Sequence, residues 1–310
     1  MLKELGLAIF VVLAVVLVAA FVFRCFLIAV GRTARSVVQI DVAGRRVAIW
    51  KPFGPPPPNG HPVIVFSHGF LGCCTQSIFL MEGLARAGYL VLAPDHRDAA
   101  CGPGHRPGWL LRPSMIRAQK PFHRASGWSQ STYRDRGADL EAIVDALVKD
   151  PAFHGVPVDS ARLGLAGHSL GGYTALALAG AWPSWKDLRV RAVLAMSPYC
   201  APFITRGNLR GLDVPVMYQG GTFDIGVTPY VRRSGGAYDL TSSPKYLIEF
   251  AGAGHLAWTN LTKSYKDIIN LYAIAFFDRH LKGDRDPDAL AKLLARPWPE
   301  DVKEIRYEAR

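Results

Sequence analysis

The sequence predicts an α/β fold, with a mostly parallel central sheet and helices on both faces. Short apolar segments, continuous at residues 63–66 and largely apolar at 190–196 and 246–250, alternate with longer segments of helical periodicity. Continuous apolar runs are typical of strands that are covered on both sides. A turn at residues 167–172 (GHSLGG) joins one apolar strand directly to an Ala- and Leu-rich helical segment. Together these observations predict strands and helices that alternate around one sheet.

The first thirty residues differ from the rest of the chain. Residues 6–23 contain no charge and consist almost wholly of Ala, Val, Leu, Ile and Phe. Their number approaches the roughly 20 apolar residues of a membrane-spanning helix, so we expect an uncleaved anchor over residues 1–32. A cleaved signal is the alternative, but its apolar part usually has roughly 7–15 residues and a small-residue cleavage site follows it. Arg24, Arg32 and Arg35 favour a cytoplasmic domain, whereas an export-type signal favours the opposite side, so the orientation stays open.

The remaining chain has the length of one large α/β domain, which we assign to residues 33–284. Residues 99–131 are rich in Gly, Pro and basic residues, and we expect them to form an excursion over the functional site. Residues 285–310 are expected to form a C-terminal tail with a short helix. The net charge of +11 is scattered, with a local cluster at residues 97–136. Since no nucleic-acid motif is present, attraction to anionic lipid or an ordinary solvated surface accounts for this charge.

The five cysteines, Cys25, Cys73, Cys74, Cys101 and Cys200, do not form a C-x-x-C motif. This spacing disfavours a zinc or thioredoxin-like site. If the domain is exported, Cys73 or Cys74 could pair with Cys101 or Cys200, and the sequence leaves the pairing open.

The strands are predicted from apolar or alternating segments that end at turn-forming residues. They are residues 36–41 and 46–51, which form an antiparallel hairpin, and then 63–66, 89–93, 162–166, 190–196, 214–218 and 246–250. Residues 52–62 contain four consecutive prolines, which predicts a stiff surface loop. The helices are predicted from apolar periodicity and from capping residues. They are residues 77–87, 133–149, 173–181 and 259–279.

The turn at residues 167–172 has the G-x-S-x-G pattern of a nucleophile elbow, with Ser169 at its centre. Gly167 and Gly171 are required because a Cβ at either position would press on the neighbouring strand or helix. The alternative is a glycine-rich turn in which Ser169 serves as an ordinary N-cap. The flanking strand and helix favour the elbow.

An acid and a base follow later strands of the predicted sheet. Asp224 follows the strand at residues 214–218, and His255 lies in a Gly-flanked loop after the last strand. The chain order Ser169, Asp224, His255 matches a nucleophile, acid and base on one sheet edge. Asp213 and Asp239 are competing acids, but Asp213 precedes its strand and Asp239 lies deep in the next segment. We therefore predict Ser169, Asp224 and His255 as the catalytic residues.

A His-Gly turn after the strand at residues 63–66 predicts an oxyanion hole. We expect the backbone N–H groups of Phe70 and Leu170 to be its two donors. Phe70 and His168 are predicted to contact substrate. The run at residues 95–98 (DHRD) is expected to brace this turn. No metal-ligand spacing is evident, so we predict no metal site.

With these residues in place, the chain resembles the α/β-hydrolase superfamily over about residues 36–281. Within it, the chain is most similar to platelet-activating-factor acetylhydrolases, dienelactone hydrolases and cutinase-like serine esterases. The residues that carry the resemblance are the segments 67–70, 95–98 and 167–172 together with Asp224 and His255. Dienelactone hydrolases use a Cys nucleophile, whereas this chain has Ser169. The excursion and the anchor are not general in this group.

The resemblance implies a serine hydrolase that cleaves carboxylic esters through an acyl-enzyme and needs no cofactor. A small-molecule or lipid ester is the expected substrate, the membrane is the expected partner of the N-terminal helix, and no nucleic acid is expected. Acyl transfer, amide hydrolysis and a non-catalytic binding role on the same fold are the alternatives. The sequence identifies neither the acyl length nor the oligomeric state.

Overall fold

The computed structural model describes residues 37–100, 117–283 and 289–309. In these ranges nine strands form one sheet, in the spatial order β1-β2-β4-β3-β5-β6-β7-β8-β9. The strands are β1 (Val38–Val42), β2 (Arg45–Trp50), β3 (His61–Ser67), β4 (Leu90–Pro94), β5 (Val158–His168), β6 (Val190–Met196), β7 (Val216–Gly221), β8 (Lys245–Phe250) and β9 (Val302–Glu308). Strands β4, β3, β5, β6, β7 and β8 run parallel, and β1, β2 and β9 pair antiparallel at the two edges.

Eight α-helices connect or flank these strands in the described ranges. They are α1 (Ile78–Arg86), α2 (Arg134–Lys149), α3 (Leu170–Leu176), α4 (Ala201–Arg206), α5 (Thr228–Arg232), α6 (Ala237–Leu240), α7 (Lys266–Phe277) and α8 (Ala289–Leu294). The π-helical segments Ala177–Ala181 and Asp278–Lys282 continue α3 and α7. The predicted α/β fold, with a mostly parallel sheet and helices on both faces, is confirmed.

Alternate residues of the central strands pack into two separate cores. In β3, Val63 and Val65 join the core that contains α2 and α3, whereas Ile64 and Phe66 join the core that contains α1 and α7. All four side chains are fully buried. Side chains of a strand point alternately to opposite faces, so a continuous apolar run is what a strand between two helical layers requires.

The C-terminal segment differs from the expected tail. Residues 302–308 form β9, which pairs antiparallel with β8 from Val302 to Glu308, and Val302 and Ile305 are buried. Charged residues separate these two apolar positions, so the sequence signal for a strand is weak. The backbone of β8 supplies the hydrogen-bond partners that fix this segment in the sheet.

The helix predicted over residues 259–279 begins later, at Lys266. The residues before Lys266 form a loop. In this loop, Asn260 accepts a hydrogen bond from the backbone N–H of Ile78 at 2.9 Å and donates one to the carbonyl of Thr75 at 2.7 Å. These contacts to the start of α1 hold the preceding residues as a loop.

The predicted membrane anchor, residues 1–32, lies outside the described residues, as do residues 101–116 of the predicted excursion. Within the described ranges, no helix has both the length and the apolar character needed to cross a membrane.

Candidate active site

The elbow places Ser169 between β5, which ends at His168, and α3, which begins at Leu170. Ser169 has φ 55° and ψ −117°, a conformation that side-chain-bearing residues seldom adopt. The tight turn depends on glycine, because a Cβ on Gly167 would lie 2.2 Å from the carbonyl oxygen of Gly171, and a Cβ on Gly171 would lie 1.9 Å from that of Ser67. The turn therefore presents the Ser169 hydroxyl at the carboxyl end of the sheet.

Of the three predicted catalytic residues, His255 lies within hydrogen-bond distance of both others. His255 Nε2 is 3.0 Å from Ser169 Oγ, and His255 Nδ1 is 3.1 Å from Asp224 Oδ1. Since Asp224 accepts from Nδ1–H, Nε2 is left as the acceptor for the Ser169 hydroxyl proton. Asp224 is buried, whereas the His255 side chain is 35% exposed. The base is thus accessible from the cavity, and its orienting acid is shielded from water.

Sequence reasoning missed Ser197, which directly follows β6. Its hydroxyl donates to Asp224 Oδ2 and lies 2.9 Å from His255 Nδ1. Ser197 is fully buried and has a positive φ of 43°. The one signal was its position after a predicted strand, at the same sheet edge as the other polar residues. Ser197 therefore orients both the acid and the base.

The carboxylate of Asp224 has several donors. Burial alone would raise its pKa, but hydrogen bonds from His255, Ser197 and Thr228 keep the pKa below its usual value. Thr228 Oγ1 donates to Asp224 Oδ2 at 3.1 Å and accepts from the N–H of Gly221 at 3.0 Å. The acid therefore stays ionised and is tied to both β7 and α5, so that it stabilises a protonated His255.

Both predicted oxyanion donors are available. Among the described residues, no acceptor bonds the backbone N–H of Phe70 or that of Leu170. The N–H of Leu170 belongs to the first turn of α3, where backbone donors have no helical partner. A substrate oxyanion would supply the missing acceptor for both groups.

The buried guanidinium of Arg136 fixes the loop that carries the oxyanion donor Phe70. Arg136 donates to the carbonyl oxygens of His68 at 2.7 Å and Gly69 at 3.1 Å. Its guanidinium also binds both carboxylate oxygens of Asp98, at 3.1 and 2.8 Å. Burial opposes ionisation of Asp98, but Arg136 holds the pKa of this carboxyl well below its usual range. Asp98 also accepts from the N–H of Leu71 at 3.2 Å, so the run at residues 95–98 braces the turn.

His68 and His96 are buried beneath this loop and are not exposed to substrate. The Nε2 atom of His68 accepts from the backbone N–H of His96 at 3.1 Å, and the His96 ring bridges Ser67 at 2.8 Å and Asp139 at 2.9 Å. Burial lowers the pKa of His68 to about 3 and lowers that of His96 well below its usual value. Both imidazoles are therefore neutral structural groups near neutral pH.

A chain of hydrogen bonds joins the oxyanion loop to the loop of the base. Gln76 Oε1 accepts from the N–H of Gly69 at 2.9 Å, and Gln76 Nε2 donates to His168 Nδ1 at 3.1 Å. His168 Nε2 then donates to the carbonyl of His255 at 2.8 Å. Burial lowers the pKa of His168 to about 3, so the ring is neutral and its tautomer is fixed by these two partners. Sequence reasoning missed Gln76, because His168, the partner that joins it to the elbow, is 92 residues away in the chain.

A cavity of about 1110 Å³ opens on Ser169 and His255. The predicted substrate contacts Phe70 and His168 both line this active-site cavity. Most of the other lining side chains are apolar or aromatic, and they include Phe122, Tyr199, Val227, Tyr230, Leu256 and Leu261. Such a wall suits the apolar portion of a substrate.

The competing acids lie in other environments. Asp213 forms a surface ion pair with Lys186 at 2.7 Å, and Asp239 accepts from the backbone N–H of Gly235 at 2.9 Å. No contact joins either carboxylate to His255, so Asp224 is the acid that the fold brings to the base. Within the described ranges, no group of His, Cys, Asp or Glu side chains is arranged to hold a metal ion.

The three cysteines in the described ranges differ in oxidation state. Cys73 is disulfide-bonded, whereas Cys74 and Cys200 are free thiols in the buried core. Of the pairings left open by the sequence, those that involve Cys74 or Cys200 are excluded. Burial raises the pKa of both free thiols, so neither is a reactive nucleophile.

Comparisons with known proteins agree with this geometry. Residues 129–294 match the model of the family described as PET hydrolase-like, and residues 33–103 match that of platelet-activating factor acetylhydrolase, isoform II. The chain is also 25% identical over 230 residues to cutinase est2 of Thermobifida alba. The aligned region covers 73% of this chain and 62% of that protein. The chain thus spans less than two thirds of the length of this relative. Because the first match extends over more than half of the sequence and includes Ser169, Asp224 and His255, the chain belongs to the PET hydrolase-like family.

Proposed function

We propose that this protein is a serine hydrolase that cleaves carboxylic esters through an acyl-enzyme on Ser169. The observation that carries the proposal is the continuous contact from Ser169 Oγ through the His255 ring to Asp224, at 3.0 and 3.1 Å. A nucleophilic hydroxyl, a base and an orienting acid in this order are the parts that acyl transfer needs. The relationships to cutinase and acetylhydrolase support the same reaction.

In the first half of the reaction, Ser169 Oγ attacks the ester carbonyl carbon while His255 Nε2 takes the hydroxyl proton. The carbonyl oxygen becomes an oxyanion, which the N–H groups of Phe70 and Leu170 stabilise. One such donor contributes roughly 3–4 kcal/mol to the transition state in a well-formed hole. His255 then delivers its proton to the departing alkoxide, so that the alcohol leaves and the acyl group stays on Ser169.

In the second half, water replaces the alcohol. His255 takes a proton from the water as it attacks the acyl-enzyme, and the same two donors stabilise the second oxyanion. Collapse of this intermediate releases the carboxylic acid and returns the proton to Ser169 Oγ. Asp224 remains ionised throughout and stabilises the imidazolium.

The test is hydrolysis of p-nitrophenyl esters from acetate to palmitate by the wild type and by Ser169→Ala. We expect turnover by the wild type and a loss of at least about 10³-fold in the variant, because the nucleophile is absent. Ser264→Ala is the matched control, since Ser264 is exposed and lies outside the cavity. Turnover by Ser169→Ala close to that of the wild type would refute the proposal.

We further propose that residues 1–32 anchor the enzyme in a membrane, as the uncharged segment 6–23 indicates. The disulfide at Cys73 supports an exported position for the catalytic domain, because disulfides persist in oxidising compartments. Carbonate washing of membranes from expressing cells tests the anchor, and external protease applied to intact spheroplasts tests the side. Release of the full-length protein by carbonate would contradict the membrane anchor. Protection of the catalytic domain from the protease would contradict its exported position.

A further inference from the structure

Arg233 is an unusual member of the cavity wall. Among the described residues that line the active-site cavity, Arg233 is the single arginine, and none is Lys, Asp or Glu. The cavity is otherwise mostly apolar. One permanent positive charge thus lies in the same cavity as Ser169 and His255, and no carboxylate among the described lining residues offsets it.

The guanidinium of Arg233 lies against an aromatic ring, and no carboxylate of the described residues pairs with it. It lies 4.7 Å from the ring centroid of Tyr230, which also lines the cavity. No Asp or Glu of the described part of the chain lies within ion-pair distance of it, whereas the adjacent Arg232 approaches Glu249 at 3.4 Å. The planar ring orients the guanidinium, and no acceptor in the described ranges binds its N–H donors.

The position of Arg233 is fixed relative to the catalytic acid. Arg233 follows α5, whose first residue Thr228 donates to Asp224 at 3.1 Å. Its backbone N–H donates to the carbonyl of Pro229 at 3.1 Å, and its own carbonyl accepts from the N–H of Gly236 at 2.8 Å. These bonds place the cation on a segment that is tied to the catalytic residues.

We propose that Arg233 binds an anionic group, a carboxylate or a phosphate, at the far end of the ester substrate. The ester carbonyl then lies at Ser169, the apolar part of the molecule lies along the cavity wall, and the anion lies at the Arg233 guanidinium. A guanidinium fork matches two oxygens of either anion, and the exposed side chain of Arg233 is open to a ligand that enters the cavity. This inference rests on the proposed esterase function and adds a substrate class: amphiphilic esters that carry a negative charge.

The experiment compares pairs of esters in which one member carries a free carboxylate at its far end and the other carries the methyl ester of that carboxylate. One pair varies the acyl side: a monoester of an eight-carbon dicarboxylic acid and its methyl-capped form. A second pair varies the alcohol side: butyrate esters of 6-hydroxyhexanoate and of its methyl ester, for which only hydrolysis of the butyrate is counted. Analogues with a terminal phosphate distinguish the two kinds of anion. Acid release or product formation is followed for the wild type, Arg233→Gln and the matched control Arg232→Gln.

We expect the wild type to prefer the charged member of at least one pair by about 10-fold in kcat/KM, and added salt to reduce this preference. Arg233→Gln should abolish the preference, whereas Arg232→Gln should retain it. Equal preference in the wild type and Arg233→Gln for both pairs, with unchanged thermal unfolding midpoints, overturns the inference. A wild type that hydrolyses neutral esters without charge preference overturns only this inference. A wild type that hydrolyses no ester at all refutes the proposed function itself.

Discussion

Gln76 provides a direct test of how the oxyanion loop and the base are held together. The substitution Gln76→Leu keeps the approximate size of the side chain but removes both its hydrogen-bonding groups. The N–H of Gly69 then loses its acceptor at 2.9 Å, and His168 Nδ1 loses its donor at 3.1 Å. His168 retains its bond to the carbonyl of His255 at 2.8 Å, but the ring is no longer held from its other side.

The expected magnitude follows from the two groups left without a partner, since Ser77 Oγ, which also accepts from Gln76 at 3.3 Å, keeps its bond to the carbonyl of Trp258. A buried polar group without a partner costs about 1–3 kcal/mol, so the free energy of unfolding should fall by about 2–6 kcal/mol before relaxation. The catalytic effect has a separate origin, because a displacement of about 1 Å in a catalytic group can lower the rate about 100-fold. We therefore expect kcat to fall about 10- to 100-fold. Gln76→Glu should fall between the wild type and Gln76→Leu, because its carboxylate still accepts from Gly69.

The assay is steady-state hydrolysis of p-nitrophenyl butyrate across pH 5–9, together with urea unfolding. Gln130→Leu is the matched control, since Gln130 is an exposed glutamine whose side chain accepts from Ser184 at 3.0 Å, away from the site. The control should retain the kcat of the wild type. A Gln76→Leu enzyme with the kcat and pH profile of the wild type, but with a reduced free energy of unfolding, would show that the hydrogen bonds of Gln76 stabilise the fold only. It would refute their role in positioning the catalytic groups.

Three further predictions concern acid stability, the acid–base pair and the elbow. Burial lowers the pKa of His68 and His168 to about 3, whereas the same residues in the unfolded chain protonate near their ordinary pKa of about 6.5. The contribution of the two neutral histidines to the free energy of unfolding is therefore full above pH 6.5. It falls as the pH drops toward 3, by about 1.4 kcal/mol per pH unit for each histidine. Urea midpoints that stay constant from pH 7 to pH 4.5 would contradict this. Ser197→Ala should lower kcat about 10-fold with little change in KM, because the acid and base lose a shared partner, and an unchanged kcat would remove Ser197 from the site. Gly171→Ala should strongly lower the thermal unfolding midpoint, because its Cβ would lie 1.9 Å from the carbonyl oxygen of Ser67, and a midpoint equal to that of the wild type would refute the packing argument.

The features that were predictable from sequence are those encoded by local pattern. The strand over residues 63–66 was recognisable because four consecutive apolar residues suit a strand between two helical layers. The elbow was recognisable because Gly167, Ser169 and Gly171 lie in one short turn between a strand and a helix. Asp224 and His255 could be placed because parallel strands bring their carboxyl ends to one edge of the sheet.

The features that were missed depend on contacts between distant segments. Gln76, in the segment before α1, bonds with Gly69 and with His168 of the elbow, and no local pattern identifies that pairing. Arg136 lies on an amphipathic helix, where a charged residue is expected on the solvated face, yet it is fully buried because Asp98 and two backbone carbonyls surround it. Residues 302–308 were expected to be part of a tail, and they form a strand because the exposed edge of β8 supplies the pairing. Tertiary partners determine all three.

Peptide mass spectrometry after an acid quench shows directly whether Ser169 carries the acyl group. The wild type is mixed with p-nitrophenyl acetate, quenched within milliseconds and digested. We predict an added acetyl mass on the peptide that contains Ser169, together with a burst of p-nitrophenol, and neither signal in Ser169→Ala. Acetylation of another residue at the burst amplitude, or a burst that persists in Ser169→Ala, would contradict the account.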